Sequence, residues 1–287
     1  MKKWTRNYVL TVQVDHRALD YIDITSPLTL NFNIKRNYNA SANKASFTIL
    51  NLAESTRRKV FMDRYQTLYY KGVELRAGYG DDREDWPLIF KGNIEQAFSK
   101  RNGVDYETTI DAFDGGFAYR NGFSERNFAE GTTDKQIINT LLADLPGIKK
   151  GSIGNFNAQL VRGNSFNGNT MKILNDVTEG HLFIDLERLN CLRRNEGLSG
   201  NLSILNADAG LLGSPLREES FLTFEMIFEP RLQIGQFVKL ESQTESTFNG
   251  TYKVIGIEHN GVISGSQCGK CTTKVSLNYI KDIPEVL

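Results

Sequence analysis

The sequence predicts a mainly β protein in which a small α+β domain lies between two antiparallel β-barrels. Segments of alternating apolar and polar residues recur at both ends of the chain, and two clear helical patterns are confined to its middle. A chain of 287 residues is long enough for two or three domains. We place the first barrel at 1–116, the α+β domain at 117–200 and the second barrel at 201–287.

The first segment opens with alternating strands. Residues 8–14 and 28–34 alternate with a period of two, which is typical of half-buried antiparallel strands. The stretch "DHRALD" (15–20) between them is predicted to be a turn. After a polar loop, the third strand follows at 45–50.

A charged helix follows the third strand directly. Its pattern predicts a helix over 56–65, with Ser55 accepting a hydrogen bond from a free amide at its start. Phe61, Tyr65 and Leu68 recur at helical spacing, so we expect one face of this helix to pack on the sheet.

Three more strands complete the first segment, at 71–80, 88–103 and 104–116. The acidic stretch "DDRED" (81–85) lacks the glycine and the final glutamate of a calcium loop. We therefore predict a solvated hairpin tip there, with Arg83 as a candidate contact for a partner.

The middle segment is predicted to begin with an amphipathic helix over 132–147. Thr133 and Gln136 fit a capping box, and Pro146 with Gly147 ends the helix. The rest is predicted as a long loop (149–169), a short helix (170–180) and a small hairpin (181–197).

The third segment returns to strands, which we predict at 221–228, 229–242, 250–265 and 271–280. Its order resembles that of the first segment. "KGVELRAGYG" corresponds to "IGQFVKLESQ", "FKGNIEQAFSKRNG" to "NGTYKVIGIEHNG", and "VDYETTIDAF" to "CTTKVSLNYI". Alternation and glycine turns are common to all antiparallel sheets, so a true internal repeat and two unrelated sheets both remain open.

The composition excludes several classes of protein. The formal net charge is zero, which argues against a protein built mainly to bind nucleic acid or anionic lipid. No stretch approaches the roughly 20 apolar residues of a membrane span, and the start of the chain lacks the apolar block of a signal peptide. Three cysteines are too few for a disulfide framework and suit a reducing compartment.

The motif "CGKC" (268–271) is the main candidate for metal or redox chemistry. Zinc needs two ligands besides Cys268 and Cys271, and neither His259 nor Cys191 stands at a zinc-site spacing. A redox pair is expected where a strand meets a helix, whereas this one lies between two strands. We predict turn cysteines and leave open whether they form a disulfide.

Other catalytic patterns do not emerge. His16, His181 and His259 have no partner at a recognisable spacing, and the chain has no G-x-S-x-G elbow. "GNSFNGN" (163–169) lacks the lysine of a phosphate loop. We therefore predict no catalytic residue, no cofactor and no metal ligand.

Several stretches together resemble the baseplate hub proteins of contractile and related phage tails, which are similar to the N-terminal part of type VI secretion spikes. In the first segment these are "ASFTILNLAESTRRKVF", "VELRAGYG" and "LIFKGNIEQAFSKRNGVDYETTIDAFDGG". "GTTDKQIINTLLADL" resembles the opening of the hub's middle domain, and "FEMIFEPRLQIGQFVKLES" the entry to its second barrel.

The resemblance implies a non-enzymatic structural hub with two tail-tube-like barrels in each chain. Three copies then form a homotrimer that presents six barrels to the sixfold tail tube and seats a threefold central spike. The implied partners are a tail tube or tube-initiator protein, the spike protein, other baseplate proteins and a tape measure protein in the lumen. The implied location is the baseplate of the virion, after assembly in the host cytoplasm.

Two other functions remain open. One is a receptor- or glycan-binding module at the tail tip, which would need exposed aromatic side chains over a groove. The other is a cell-wall hydrolase, which would need a metal or two acids across a cleft. Contractile and non-contractile tails are both compatible with the sequence.

Overall fold

The computed structural model describes residues 5–15, 19–65, 69–200, 202–218, 221–265, 269–280 and 285–286. Strands account for 52% of the structure and helices for 14%, which confirms the prediction of a mainly β protein with few helices. No helix in the described part of the chain is long and apolar enough to cross a membrane.

Seven strands and one helix form the first segment. They are β1 (Arg6–Asp15), β2 (Asp20–Thr25), β3 (Leu30–Asn37), β4 (Lys44–Leu50), α1 (Glu54–Val60), β5 (Gly72–Tyr79), β6 (Leu88–Asn102) and β7 (Asp105–Phe113). The alternation read from the sequence is visible in β3, whose inward residues Leu30, Phe32 and Ile34 are all buried.

Three short helices and six strands form the middle segment. They are α2 (Gly116–Asn121), β8 (Phe123–Phe128), α3 (Asp134–Leu142), β9 (Lys149–Ile153), β10 (Asn164–Asn169), α4 (Thr170–Val177), β11 (Leu182–Asp185), β12 (Arg188–Cys191) and β13 (Glu196–Gly197). The capping box is present as predicted, with the Gln136 amide donating to Thr133 and the Thr133 amide donating to the Gln136 side chain.

The third segment consists of strands and one short 3₁₀ helix (Ser246–Phe248). The strands are β14 (Ser203–Leu205), β15 (Leu211–Glu218), β16 (Phe221–Ile227), β17 (Phe237–Leu240), β18 (Gly250–Ile263), β19 (Cys271–Tyr279) and β20 (Glu285–Val286).

One 13-stranded sheet unites the first and third segments. Its order is β15-β16-β19-β18-β3-β4-β7-β6-β5-β1-β2, and β17 pairs with β18 and β14 beside this path. Over the described residues the path ends at β15 and β2, so hydrogen bonds do not close either half into a barrel. Two separate barrels therefore remain a prediction.

Three hydrophobic cores lie within the molecule. The first is built around Phe47 and Phe90 beneath strands of the first segment, and the second around Phe224 and Val254 beneath strands of the third. The third core, around Leu141, packs α3 and α4 on the β11–β12 hairpin. The division at 1–116, 117–200 and 201–287 stays a prediction that this arrangement of cores supports.

The helix after β4 differs from its prediction. It spans Glu54–Val60, its N-cap is Ala53, and Ser55 does not cap it. Phe61 and Tyr65 are 56% and 87% exposed, so they do not form a buried face, and Leu68 lies outside the described residues. The helix stops early because Met62 exchanges two backbone hydrogen bonds with Ala97 of β6.

Three strand regions differ from the local predictions. The strand β2 (Asp20–Thr25) was not predicted, and it begins at the last residue of the predicted turn. The predicted loop at 149–169 contains β9, which pairs with β12, and β10, which pairs with β8. The strand β15 escaped prediction because a bulge between Leu212 and Leu216 breaks its alternation.

Candidate assembly interface

The first and third segments share one strand order. In the first segment it is β3-β4-β7-β6-β5, and in the third it is β15-β16-β19-β18-β17. Each of these ten strands therefore has a counterpart, whereas β1, β2, β14 and β20 have none in this order. The counterparts β5/β17, β6/β18 and β7/β19 are the segments that the sequence placed side by side. The helix α1 lies between β4 and β5, whereas no helix lies between their counterparts β16 and β17 in the described residues.

The two strand sets also share an irregularity. One residue is bulged out of β6 between Ile94 and Gln96, and one is bulged out of β18 between Val254 and Gly256. Both bulges face the counterpart strands β7 and β19. Because a bulge at a matching position is not required by alternation alone, it favours a true internal repeat over two unrelated sheets.

A single strand joins the two halves. The first residues of β18 pair with β17, and its residues 256–263 pair with the outer edge of β3. Lys35 and Glu258 form an ion pair of 3.3 Å across this joint, and Asn33 Nδ2 donates to Glu258 Oε1 at 2.8 Å. Phe228 and Cys271 from the third segment complete the first hydrophobic core.

Two open strand edges among the described residues carry exposed apolar side chains. β15 pairs only with β16, and its Leu216 is 63% exposed. The distal part of β6, beyond Ala97, pairs only with β7, and its Phe98 is 41% exposed. Open edges with exposed apolar side chains are the places where another chain can add by strand pairing.

A buried polar cluster fixes the middle segment to the sheet. We call it the hairpin clamp, and it consists of Arg36, Asn43, Asp114 and Asp185. Arg36 donates two hydrogen bonds to Asp185, at 2.8 Å and 2.5 Å, and its side chain is 2% exposed. Asn43 Nδ2 donates to the carbonyl oxygen of Ile184 at 2.8 Å.

Asp114 completes the clamp by holding the turn of the β11–β12 hairpin. Its carboxylate accepts hydrogen bonds from the backbone amides of Leu186 and Glu187, at 2.6 Å and 2.8 Å. Both turn residues have positive φ, which is the geometry of a tight two-residue hairpin. The middle segment is thus locked against the end of β7.

Burial, and then the negative charge of Asp185, raises the pKa of Asp114 to about 7. Between pH 3.8 and about pH 7, Asp114 is therefore protonated in the folded protein and ionised in the unfolded chain. The contribution of Asp114 to stability is fully present below pH 3.8 and is lost as the pH rises through 7.

We expect Asp114→Asn to remove this pH dependence. The variant loses a hydrogen-bond acceptor, so it should be less stable at low pH, and its deficit relative to the unaltered protein should shrink as the pH rises towards 7. Urea midpoints across this range measure the effect. The exposed Asp208→Asn is the control, and a D114N profile parallel to that of D208N would contradict the assignment.

A second buried contact joins β18 to the middle segment. Lys253 is 2% exposed, and its ammonium donates to Tyr38 Oη at 3.0 Å and to the carbonyl oxygen of Arg193 at 2.9 Å. Burial lowers its pKa to about 7. The hydroxyl of Tyr38 in turn donates to the carbonyl oxygen of Leu192, so this lysine links two segments.

Of the histidines in the sequence, His259 lies in the buried interior of the sheet. His259 is fully buried, its Nδ1 lies 2.9 Å from Thr273 Oγ1, and its ring contacts Phe228 edge to face. Burial and Arg36 lower its pKa to about 3, so it is neutral at physiological pH. His181 is partly buried, and burial lowers its pKa also. His16 lies outside the described residues.

The two cysteines in the described part of the chain are unsuited to nucleophilic chemistry. Cys191 and Cys271 are buried free thiols, and burial raises their pKa to about 12 and about 11. Cys268, the other predicted turn cysteine, lies outside the described residues. No group of three or more potential metal ligands occurs within the ranges that the structure describes.

The remaining sequence candidates have structural partners. Arg83 of the acidic loop forms an ion pair of 3.0 Å with Asp23 of β2. In one surface depression, Glu241 pairs with Lys239 at 2.8 Å, and in another, Asp185 is bound by Arg36. Each of these two depressions has one acid among its described lining residues, whereas glycoside hydrolysis uses two. A smaller depression is lined by two acids, Asp85 and Glu229, beside Arg231.

The sequence pattern of β3 contained one indication of the hairpin clamp. Arg36 continues the inward row of Leu30, Phe32 and Ile34, so a charge stands where an apolar residue is expected. No local signal pointed to Asp185 or Asp114, because their proximity depends on how the middle segment docks.

Comparison with solved structures identifies the same fold in phage tail proteins. A tail protein from Neisseria meningitidis is 12% identical, with a TM-score of 0.64 over 95% of this chain and 96% of that one. The 43 kDa tail protein of prophage MuSo2 from Shewanella oneidensis is 9% identical, with a TM-score of 0.59 over 95% and 97%. A type VI secretion system component from E. coli is 8% identical, with a TM-score of 0.59 over 90% and 76%.

Among curated proteins, no sequence matches this chain. The model of the family described as baseplate hub gp41 matches residues 9–264. Because this match covers most of the chain, the protein belongs to the baseplate hub gp41 family and is a structural component of a phage tail.

Proposed function

We propose that this protein is a trimeric adaptor that joins the sixfold tail tube to the threefold central spike. The observation that carries the proposal is the repeated strand order, with its matching bulge, in the first and third segments. Two equivalent strand sets in each chain give six equivalent sets in a ring of three copies. Such a ring matches a sixfold partner on one side and a threefold partner on the other.

In this proposal each strand set curves into a tube-like barrel when the ring forms. The open edges of β15 and of the distal part of β6 then pair between copies, which removes them as sites of aggregation. The hairpin clamp and the Lys253 contact hold the middle segment, with its α3–α4 pair, on the outside of the sheet. The α+β domain would keep the two barrels at a fixed orientation.

The proposed partners are the tail tube or a tube-initiator protein, the central spike and other baseplate proteins, with a tape measure protein in the lumen. The solved E. coli neighbour is described as similar to phage T4 tail proteins gp27 and gp5, which supports a place near the spike. The proposed location is the virion baseplate, after assembly in the host cytoplasm. The proposed role is structural, without catalysis.

The test is the size and symmetry of the purified protein. We expect sedimentation to give a species of three times 32.4 kDa, and averaged electron micrographs to give threefold particles with a central channel. Addition of the spike protein of the same phage should raise the mass of the particle. A monomer at every concentration, with and without the spike protein, would contradict the proposal.

A turbidity assay separates this role from that of a hydrolase. A suspension of host cell walls should keep its turbidity after the protein is added, because the proposed role is structural and the acids Asp185 and Glu241 of two surface depressions are held in ion pairs. Clearing of the suspension by the purified chain would favour the enzyme.

A further inference from the structure

The joint between β3 and β18 provides a template for the contact between copies. β3 uses its outer edge to pair with residues 256–263 of β18. By strand order, the counterpart of β3 is β15, and the counterpart of β18 is β6. The two edges that correspond to this joint, on β15 and on the distal part of β6, are both open among the described residues.

We propose that β15 of one copy pairs antiparallel with the distal part of β6 of a second copy. In the proposed register Leu216 lies opposite Lys100, Arg217 opposite Ser99 and Glu218 opposite Phe98. This pairing rests on the proposed trimeric function and specifies how its copies are joined.

The register of this pairing follows from residues that lie directly opposite one another on successive strands, which we call a row. In the first segment one row runs Gln96, Asp111, Ser46, Asn33. In the third segment the equivalent row, which also starts just after the bulge, runs Gly256, Ser276, Thr223, Leu216. Leu216 is therefore the counterpart of Asn33.

The in-chain joint then sets the offset between the strands. Asn33 pairs with Asn260, which lies four positions beyond Gly256 in β18. The residue four positions beyond Gln96 in β6 is Lys100, so Lys100 is the expected partner of Leu216. Because the strands are antiparallel, Arg217 and Glu218 then meet Ser99 and Phe98.

The side chains at these positions suit one another. Leu216 and Phe98 are both exposed in the single chain and lie on one face in this register, as diagonal neighbours that can cover each other. Glu218 and Lys100 are the other diagonal pair and have opposite charges. No like charges stand directly opposite each other in the three pairs.

The tip of the β6–β7 hairpin gives a further indication. Cys271 pairs with Gly261 and is buried in the first core, which belongs to the other half of the chain. By the same rows its counterpart is Tyr106, which pairs with Arg101 and is 39% exposed. If a second copy pairs in the same way as the joint between β3 and β18, the hydrophobic core of its third segment would cover Tyr106.

A disulfide between copies tests the register. Directly opposite Cβ atoms lie about 4.5–5.5 Å apart, close to the separation that a disulfide needs. We expect Phe98→Cys with Glu218→Cys, in a Cys268→Ser background, to give covalent trimers on mild oxidation. Cys191 and Cys271 are buried and can stay.

The matched control is Phe98→Cys with Leu212→Cys. Leu212 lies on the same strand as Glu218 and is 40% exposed, but the proposed register places it several residues away from Phe98. The control should give at least about tenfold less covalent trimer, because its Cβ atoms lie beyond disulfide reach. A mixture of the two single variants, F98C and E218C, should give a covalent dimer of one of each.

The outcomes separate this pairing from the proposed function. A trimer in which F98C/E218C links no better than the control would overturn the register and leave the trimeric role standing. A protein that stays monomeric would overturn the role and the pairing together.

Hydrogen exchange on the unaltered protein provides a check without cysteines. Among residues 98–100 and 216–218, the amides that point away from the in-chain partners β7 and β16 should exchange more slowly in the trimer than in the diluted monomer, because they enter a new strand ladder. Equal exchange rates in both states would overturn the pairing.

Discussion

Replacement of Arg36 by methionine should lower the free energy of unfolding by about 3–5 kcal/mol, because it leaves the charge of Asp185 buried without its partner. Arg36 provides both short hydrogen bonds to this carboxylate, and the amide of Asn43 lies farther away, at 3.4 Å. Urea or guanidinium denaturation followed by circular dichroism measures the change.

Two variants control this experiment. Arg58→Met removes an ion pair with Glu54 that is exposed on both sides, so it should change stability by less than about 1 kcal/mol. Arg36→Met combined with Asp185→Leu removes both buried charges and should recover much of the loss. If R36M is no less stable than R58M, the hairpin clamp does not support the fold.

Truncation of Phe47 to alanine should cost about 3–5 kcal/mol, since it opens a cavity in the first core. Phe47 is fully buried on β4, and its ring meets Phe90 edge to face with centroids 5.7 Å apart. Neighbouring strands hold their positions by backbone pairing, so the cavity can collapse only in part.

The control uses the same change at the nearby Phe61. This side chain is 56% exposed after the end of α1, so Phe61→Ala should stay within about 0.5 kcal/mol of the unaltered protein. Thermal or chemical denaturation of both variants measures the difference. Equal losses would mean that the helix after β4 packs as the sequence pattern predicted, and not as the structure has it.

Much of the fold was predictable because its signals are local. Thr133 and Gln136 identify the start of α3 through contacts three residues apart. The period of two across β3 and β4 identifies strands and their buried faces without reference to a partner. The helix after β4 was predicted too far along the chain because its end depends on Met62 pairing with the remote Ala97.

The candidate interface was predictable only in part. The order of the segments before and after the middle suggested a repeat, yet generic alternation explained it equally well. The matching bulges in β6 and β18 favour the repeat, and a bulge is visible only once both strands of a pair are in register. The clamp needed Arg36 and Asp185, 149 positions apart, to meet.

By itself the amino-acid sequence determined that this protein is mainly β, that its helices cluster in the middle and that its ends share an order of strands. These properties follow from side-chain periodicity over a few residues, which any local segment carries. The tertiary structure alone decided that β18 joins β3, that Asn33 meets Glu258 225 positions away, and which strand edges stay open. Edge pairing depends on backbone groups that are the same in every residue, so only the register of the folded sheet distinguishes one partner from another.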